Sequence, residues 1–128
     1  MRGTVFREIA DQRMRDARVL LNAKRYNGAI YLAGYAIECH LKYSYCARRQ
    51  AVHLPPQYET HRWDKLVEAA GVAADLKSAP RIFDLYSALG DEWEPSLRYE
   101  TRPYPQREAL QLYKEFDELY KFLRESVP

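Results

Sequence analysis

Apolar residues recur along this chain at steps of three and four, with no alternating strand pattern to compete, so the sequence predicts helices throughout. The first runs from about Val5 to Ala23, where Phe6, Ile9, Ala10, Met14, Ala17, Leu20 and Leu21 form one stripe. Its charged side interleaves Arg7, Arg13, Arg15 and Arg18 with Glu8, Asp11 and Asp16, which reads as a solvated face. Lys24 to Gly28 is a polar break short enough to make the first two helices antiparallel neighbours, with Asn27 suited to cap the second. That second helix, about Gly28 to Arg48, is apolar on more than one side, as an element packed by several others must be. Within it Ala29, Ala33, Gly34 and Ala36 lack bulk and admit the backbone of a neighbouring helix, while Ile30, Leu32, Ile37 and Leu41 fill the space around that contact.

Beyond Arg48 the pattern breaks. Pro55 and Pro56 mark Arg49 to Thr60 as a loop, and Thr60 is placed to cap a short third helix through Ala70 that carries Trp63, Leu66 and Val67 inward. Gly71 stops it. The following VAADLKSA reads equally as a helical turn or an irregular connection. Pro80 opens a fourth helix with Ile82, Phe83, Leu85, Tyr86 and Leu89 on its apolar face, and Gly90 to Trp93 ends it. Glu94 to Pro105 holds three prolines and no sustained period, so it is a loop. The last helix, about Gln106 to Ser126, lines up Ala109, Leu112, Tyr113, Phe116, Leu119, Tyr120 and Leu123. The expected architecture is therefore all-α, a single domain over residues 1–128 built as an up-and-down bundle of four to five helices.

Composition narrows the function more than the fold. A net charge of +2, from 20 basic and 18 acidic residues, excludes the strongly basic footprint of a dedicated DNA-binding module. Eleven tyrosines supply apolar area with a polar tip, which suits interfaces and half-buried grooves. Cys39 and Cys46 lie on one helix roughly 10 Å apart and cannot pair with each other there. Free thiols, no secretory hydrophobic region after Met1 and no apolar run of membrane-spanning length lead to the expectation of a cytoplasmic protein with no membrane partner.

Metal chemistry has no foothold, because Cys39, His40 and Cys46 form neither C-x-x-C nor H-E-x-x-H, and the five glycines are too dispersed for a phosphate loop. No cofactor is expected. Glu38 and Lys42 stand four apart in the favourable order and form an intrahelical pair. On a surface such a pair contributes about 0.3–0.5 kcal/mol, whereas a partly buried Glu38 would orient Lys42 or an arginine at a pocket or dimer seam. Arg48 and His53 combine the residue types that metal-independent RNA cleavage uses, an imidazole to move a proton and a guanidinium to stabilise charge on phosphate. His61 opens the third helix, where it caps, packs on Trp63 or titrates near neutrality. Arg98, Tyr99, Arg102 and Tyr104 form the densest basic and aromatic mixture in the chain.

Three stretches, ARVLLNAKRYNGAIYLAGYAIECHLK at Ala17 to Lys42, HRWDKL at His61 to Leu66 and WEPSLRYE at Trp93 to Glu100, together resemble the HEPN family of helical domains. The likeness spans nearly the full length. It implies a helical bundle that commonly forms a homodimer and a family occupied with nucleotides or RNA. Many members are ribonucleases of toxin–antitoxin or defence systems, with a catalytic arginine followed after four to six residues by histidine. Others lack that motif and act beside a nucleotidyltransferase partner protein. Here Arg98 has no histidine after it, and only Arg48 and His53 keep the spacing. The resulting expectation is a nucleotide- or RNA-associated domain that is not catalytic, with Glu38, Lys42, Arg98, Tyr99 and Arg102 as ligand contacts. Its alternatives are a metal-independent ribonuclease acting through Arg48 and His53, and a protein-interaction scaffold, since Tyr26, Ala29 and Ala33 also resemble a tetratricopeptide unit.

Overall fold

The computed structural model describes residues 1–128 as six α-helices in the order α1 Gly3–Asn22, α2 Tyr26–Arg48, α3 Trp63–Ala70, α4 Ala73–Lys77, α5 Pro80–Glu92 and α6 Gln106–Ser126. Two 3-10 turns, Pro56–Tyr58 and Pro95–Tyr99, interrupt the long connections. The undecided VAADLKSA thus supplies α4, a short extra helix that brings the bundle one above the expected range. No helix is long and apolar enough to cross a membrane.

α2 is the central element, packed by α1, α3, α6 and the Pro95–Tyr99 turn. Its small residues explain why so many partners fit. Ala29, Ala33 and Ala36 are fully buried, and the α1 stripe of Ala10 and Ala17 is equally closed off. Gly34 admits something other than the helix backbone its size suggests. A Cβ there would overlap the indole ring of Trp93, so glycine makes room for an aromatic slab.

The α1–α2 reversal is tighter than the sequence suggests, because Lys24 adopts a left-handed φ of 61° and Arg25 N–H reaches back to the Leu20 carbonyl at 2.8 Å. α2 consequently starts at Tyr26, and Asn27 does not cap it. Its amide is instead spent on the distant loop: Nδ2 donates to the carbonyls of Glu100 at 3.2 Å and Arg102 at 2.8 Å, while Oδ1 accepts from Tyr104 N–H at 2.9 Å. Thr60 likewise misses its expected cap, since α3 begins at Trp63 and Thr60 Oγ1 accepts from Arg62 N–H at 3.2 Å. Gly71 ends α3 in the left-handed region at φ 72°, as its position after Ala70 predicts.

One cluster holds the core, from Phe6, Met14, Ile30, Ile37 and Leu41 through Leu66 and Leu76 to Phe116, Leu119 and Leu123. Trp63 joins layers, with its ring edge-on to Phe116 at 6.2 Å and stacked 5.8 Å from Trp93. Bidentate pairs brace the outside: Arg81 with Glu118 between α5 and α6, and Arg124 with Asp11 between α6 and α1.

Candidate functional site

Tyr31, Tyr35, Glu38 and Lys42 recur on α2 at steps of three and four, so one side of the helix carries two tyrosines and then an acid and a base. Glu38 is fully buried and Lys42 is 9% exposed. Lys42 Nζ donates to Glu38 Oε2 at 2.8 Å and lies 5.7 Å from the centre of the Phe6 ring. The other carboxylate oxygen, Oε1, is 2.8 Å from His61 Nδ1. Both oxygens of the buried carboxylate therefore have a partner, which is what makes its burial tolerable. The field of Glu38 reaches its neighbours. Burial first, and the adjacent carboxylate second, pushes the Cys39 thiol up to about 11, so Cys39 is an unreactive apolar filler.

His61 is the outlet of this network. Its side chain is 55% exposed, and with Nδ1 occupied by Glu38 the free ring nitrogen is Nε2. It neither caps α3 nor packs on Trp63 as an isolated side chain would; it stands at the rim of a groove of about 460 Å³ between the start of α3, α5 and the Trp93–Pro95 segment.

Seven residues before Glu38, roughly 10 Å along α2, Tyr31 starts a second feature. The rings of Tyr31 and Tyr35 stack with centroids 6.3 Å apart, and Tyr31 stacks on Trp93 at 6.1 Å. Trp93 Nε1 donates to the Tyr31 carbonyl at 3.2 Å and fixes the end of α5 against α2. On the turn that follows, the Arg98 guanidinium sits 5.0 Å from the centre of the Tyr99 ring, and Tyr99 is 74% exposed. The Tyr31 and Tyr99 side chains beside it raise the guanidinium pKa further, so Arg98 is a permanent charge. Arg102 lies beyond on the same loop, exposed, 3.6 Å from Glu100.

Arg48 and His53 serve different contacts. Arg48 donates to the Gly71 carbonyl at 2.7 Å, to Asp75 at 2.8 Å and to the Ser126 carbonyl at 3.4 Å, tying the end of α2 to the α3–α4 turn and to α6. His53 lies in a backbone bridge to Arg2 at the start of the chain. No hydrogen bond links the two, and no group of three or more His, Cys, Asp or Glu side chains is arranged to hold a metal ion. Of the residues singled out in the sequence, Glu38 and Lys42 lie buried on α2 while Arg98, Tyr99 and Arg102 lie exposed on the loop before α6; the contacts of His61 and Trp93 lie outside what the sequence predicts. His61 finds its partner across 23 residues, and no local signal carries that information.

The chain is an all-helical bundle with a buried acid at the middle of its central helix and an exposed arginine on the loop before its last helix. The HEPN domain family matches residues 4–126, and the chain belongs to that family. Its domains are helical, associate with nucleotides or RNA, and often dimerise. Neither a curated protein nor a solved structure matches the chain.

Proposed function

We propose that this domain binds nucleotides or single-stranded RNA without cleaving them, through the ledge formed by Arg98 and Tyr99 with Tyr31 and Tyr35 behind it. The observation that carries this reading is the guanidinium already stacked on an exposed ring. A fixed cation next to open aromatic surface serves one phosphate and one base at once, and base–aromatic stacking contributes about 1–3 kcal/mol per base. Glu38 and Lys42 take part at one remove, Glu38 holding His61 and Lys42 holding Glu38, because neither has a free surface to offer a ligand. Arg102 adds an exposed charge on the same loop.

Fluorescence anisotropy of a labelled single-stranded oligoribonucleotide tests the reading. Arg98→Ala and Tyr99→Ala are each expected to weaken binding by roughly tenfold. Unchanged affinity in both would defeat it, and cleavage of the RNA in the presence of chelator would replace it with the ribonuclease reading. Against cleavage by Arg48 and His53 stands the use of all the Arg48 contacts within the fold. A homodimer and a nucleotidyltransferase partner from a toxin–antitoxin arrangement belong to the same proposal, on the strength of the family. Light scattering that gives a monomer at every concentration would remove the dimer.

A further inference from the structure

We infer that the open groove between α1 and α6 is a second phosphate-binding site, held by Arg15 and Arg18, so that the ligand of this domain is an RNA strand and not a single nucleotide. The inference rests on the nucleotide-binding reading and narrows its ligand. The groove measures about 470 Å³, and one face of each helix lines it, with Arg15 and Arg18 on α1 and Tyr113, Asp117 and Lys121 on α6.

Spacing along α1 suggests that its arginines are neutralised by the acids between them, and the packed bundle undoes this. Asp11, four residues before Arg15 and placed to pair with it along the helix, is taken across the groove by Arg124 at 3.0 and 3.1 Å and by the Tyr120 hydroxyl. Asp16 is taken by Arg13. On α6, Asp117 holds Lys121 at 2.8 Å. The acids of the groove are thus spent, apart from Glu125 next to Arg124 at the Asp11 end. Arg15 and Arg18 keep two exposed guanidiniums with no carboxylate partner.

Arg18 lies towards the other end, near a half-buried tyrosine. Burial first and Asp117 second push the Tyr113 hydroxyl up, while Arg18 and Lys121 pull the other way, so both cations stand near that ring. The groove therefore combines free guanidinium with aromatic surface, as Arg98 and Tyr99 do on the ledge. A guanidinium matches the two unesterified oxygens of a phosphodiester, and a phenol ring offers a base apolar surface. A mononucleotide has one phosphate group and one base, and one such place uses both. A strand repeats the two groups, so it engages the same combination twice. An acidic peptide supplies the anions without the flat rings.

Fluorescence anisotropy of labelled RNA over a salt series tests this with the doubly substituted Arg15→Gln, Arg18→Gln protein, which loses two charges at exposed positions and little helix propensity. For an oligoribonucleotide of about 12 residues the variant should bind roughly tenfold more weakly, and the slope of log affinity against log salt should fall by about 1.4, the counterion release of two phosphate contacts on a single strand. A labelled mononucleotide should bind the variant as it binds the parent protein, since the ledge remains to hold it. An unchanged slope, or an equal loss for the mononucleotide, would overturn the inference even where RNA binding still depends on Arg98. Displacement of the strand by poly-glutamate at equal charge concentration would overturn it too, and give the groove to an acidic protein. A loss in the double variant with none in Arg98→Ala would keep this groove and defeat the ledge.

Discussion

His40 shows how a single residue sets the conditions under which the fold persists. It is fully buried beneath Tyr120, with Nε2–H on the Leu123 carbonyl at 3.1 Å and Nδ1 without a partner. Burial lowers its pKa from 6.5 to about 4. Between those values the unfolded chain binds a proton that the folded chain refuses, so stability is complete above pH 6.5 and is lost as pH falls towards 4. The loss amounts to about 3 kcal/mol. His40→Leu should flatten this stretch of the profile in urea unfolding, because the Leu123 carbonyl keeps its bond from Val127 N–H at 3.0 Å. Gly34→Ala acts at the same scale by overlap with the Trp93 indole, whose ring is held by its own hydrogen bond and cannot tilt freely. A lowered thermal midpoint equivalent to roughly 1–3 kcal/mol is expected; an unchanged one would show that Trp93 moves aside. That α2 needs small residues is legible in the sequence. That Gly34 faces a tryptophan 59 positions later is not, since periodicity reports which face is buried and not what covers it.

The elements were readable wherever caps and periods agree. Gly71 and Pro80 bound α3 and α5 as their chemistry requires, and α6 keeps the stripe from Ala109 to Leu123. The misreadings fall on Asn27 and Thr60, whose short polar side chains serve a cap or a loop equally well, and only the three-dimensional arrangement decides. For Asn27 the loop won. Its amide makes three hydrogen bonds to backbone groups of Glu100, Arg102 and Tyr104, which leaves the segment carrying Arg98 and Tyr99 anchored at its far end. Asn27→Ala should cost little global stability, about 1 kcal/mol, because the site is exposed. Hydrogen exchange of the Tyr104 amide, which donates to Asn27 Oδ1, should nevertheless accelerate strongly, and protection equal to the parent protein would show that the prolines alone order the loop.

For the whole molecule, the ends of the helices matter as much as the core. Arg48 gathers the end of α2, the α3–α4 turn and the last turn of α6 at one guanidinium. Arg48→Ala is expected to lower the urea midpoint, by an amount of order 1–2 kcal/mol, and to leave oligoribonucleotide affinity as it was. Weakened RNA binding with unchanged stability would give this arginine back to the functional site. Also at the end of α6, Asp11 receives Arg124 and the Tyr120 hydroxyl; burial works against it, but these donors hold its carboxyl below the ordinary value. Its contribution is present above about pH 4 and lost as pH falls through the lowered pKa, so it extends the acid weakening begun by His40. The candidate site was legible in its parts but not in its assembly: the residues that face it come from α2, the start of α3, α5 and the final loop, and their convergence is a property of the packed bundle.

The anchoring of that loop by Asn27 also dates the protein. Asn27 is followed by Gly28, the pair in which a backbone nitrogen most easily attacks the preceding side-chain amide and expels ammonia. Helical backbone and the three hydrogen bonds hold the amide away from that attack in the folded chain. When it does occur, water opens the cyclic imide that forms, and the carboxylate left behind has no N–H to donate and repels the two carbonyls the amide once held. Mass spectrometry of stored protein should find this change slow in the native state and fast in urea, with the aged molecules releasing their loop; an equal rate in both states would show that the fold gives Asn27 no shelter.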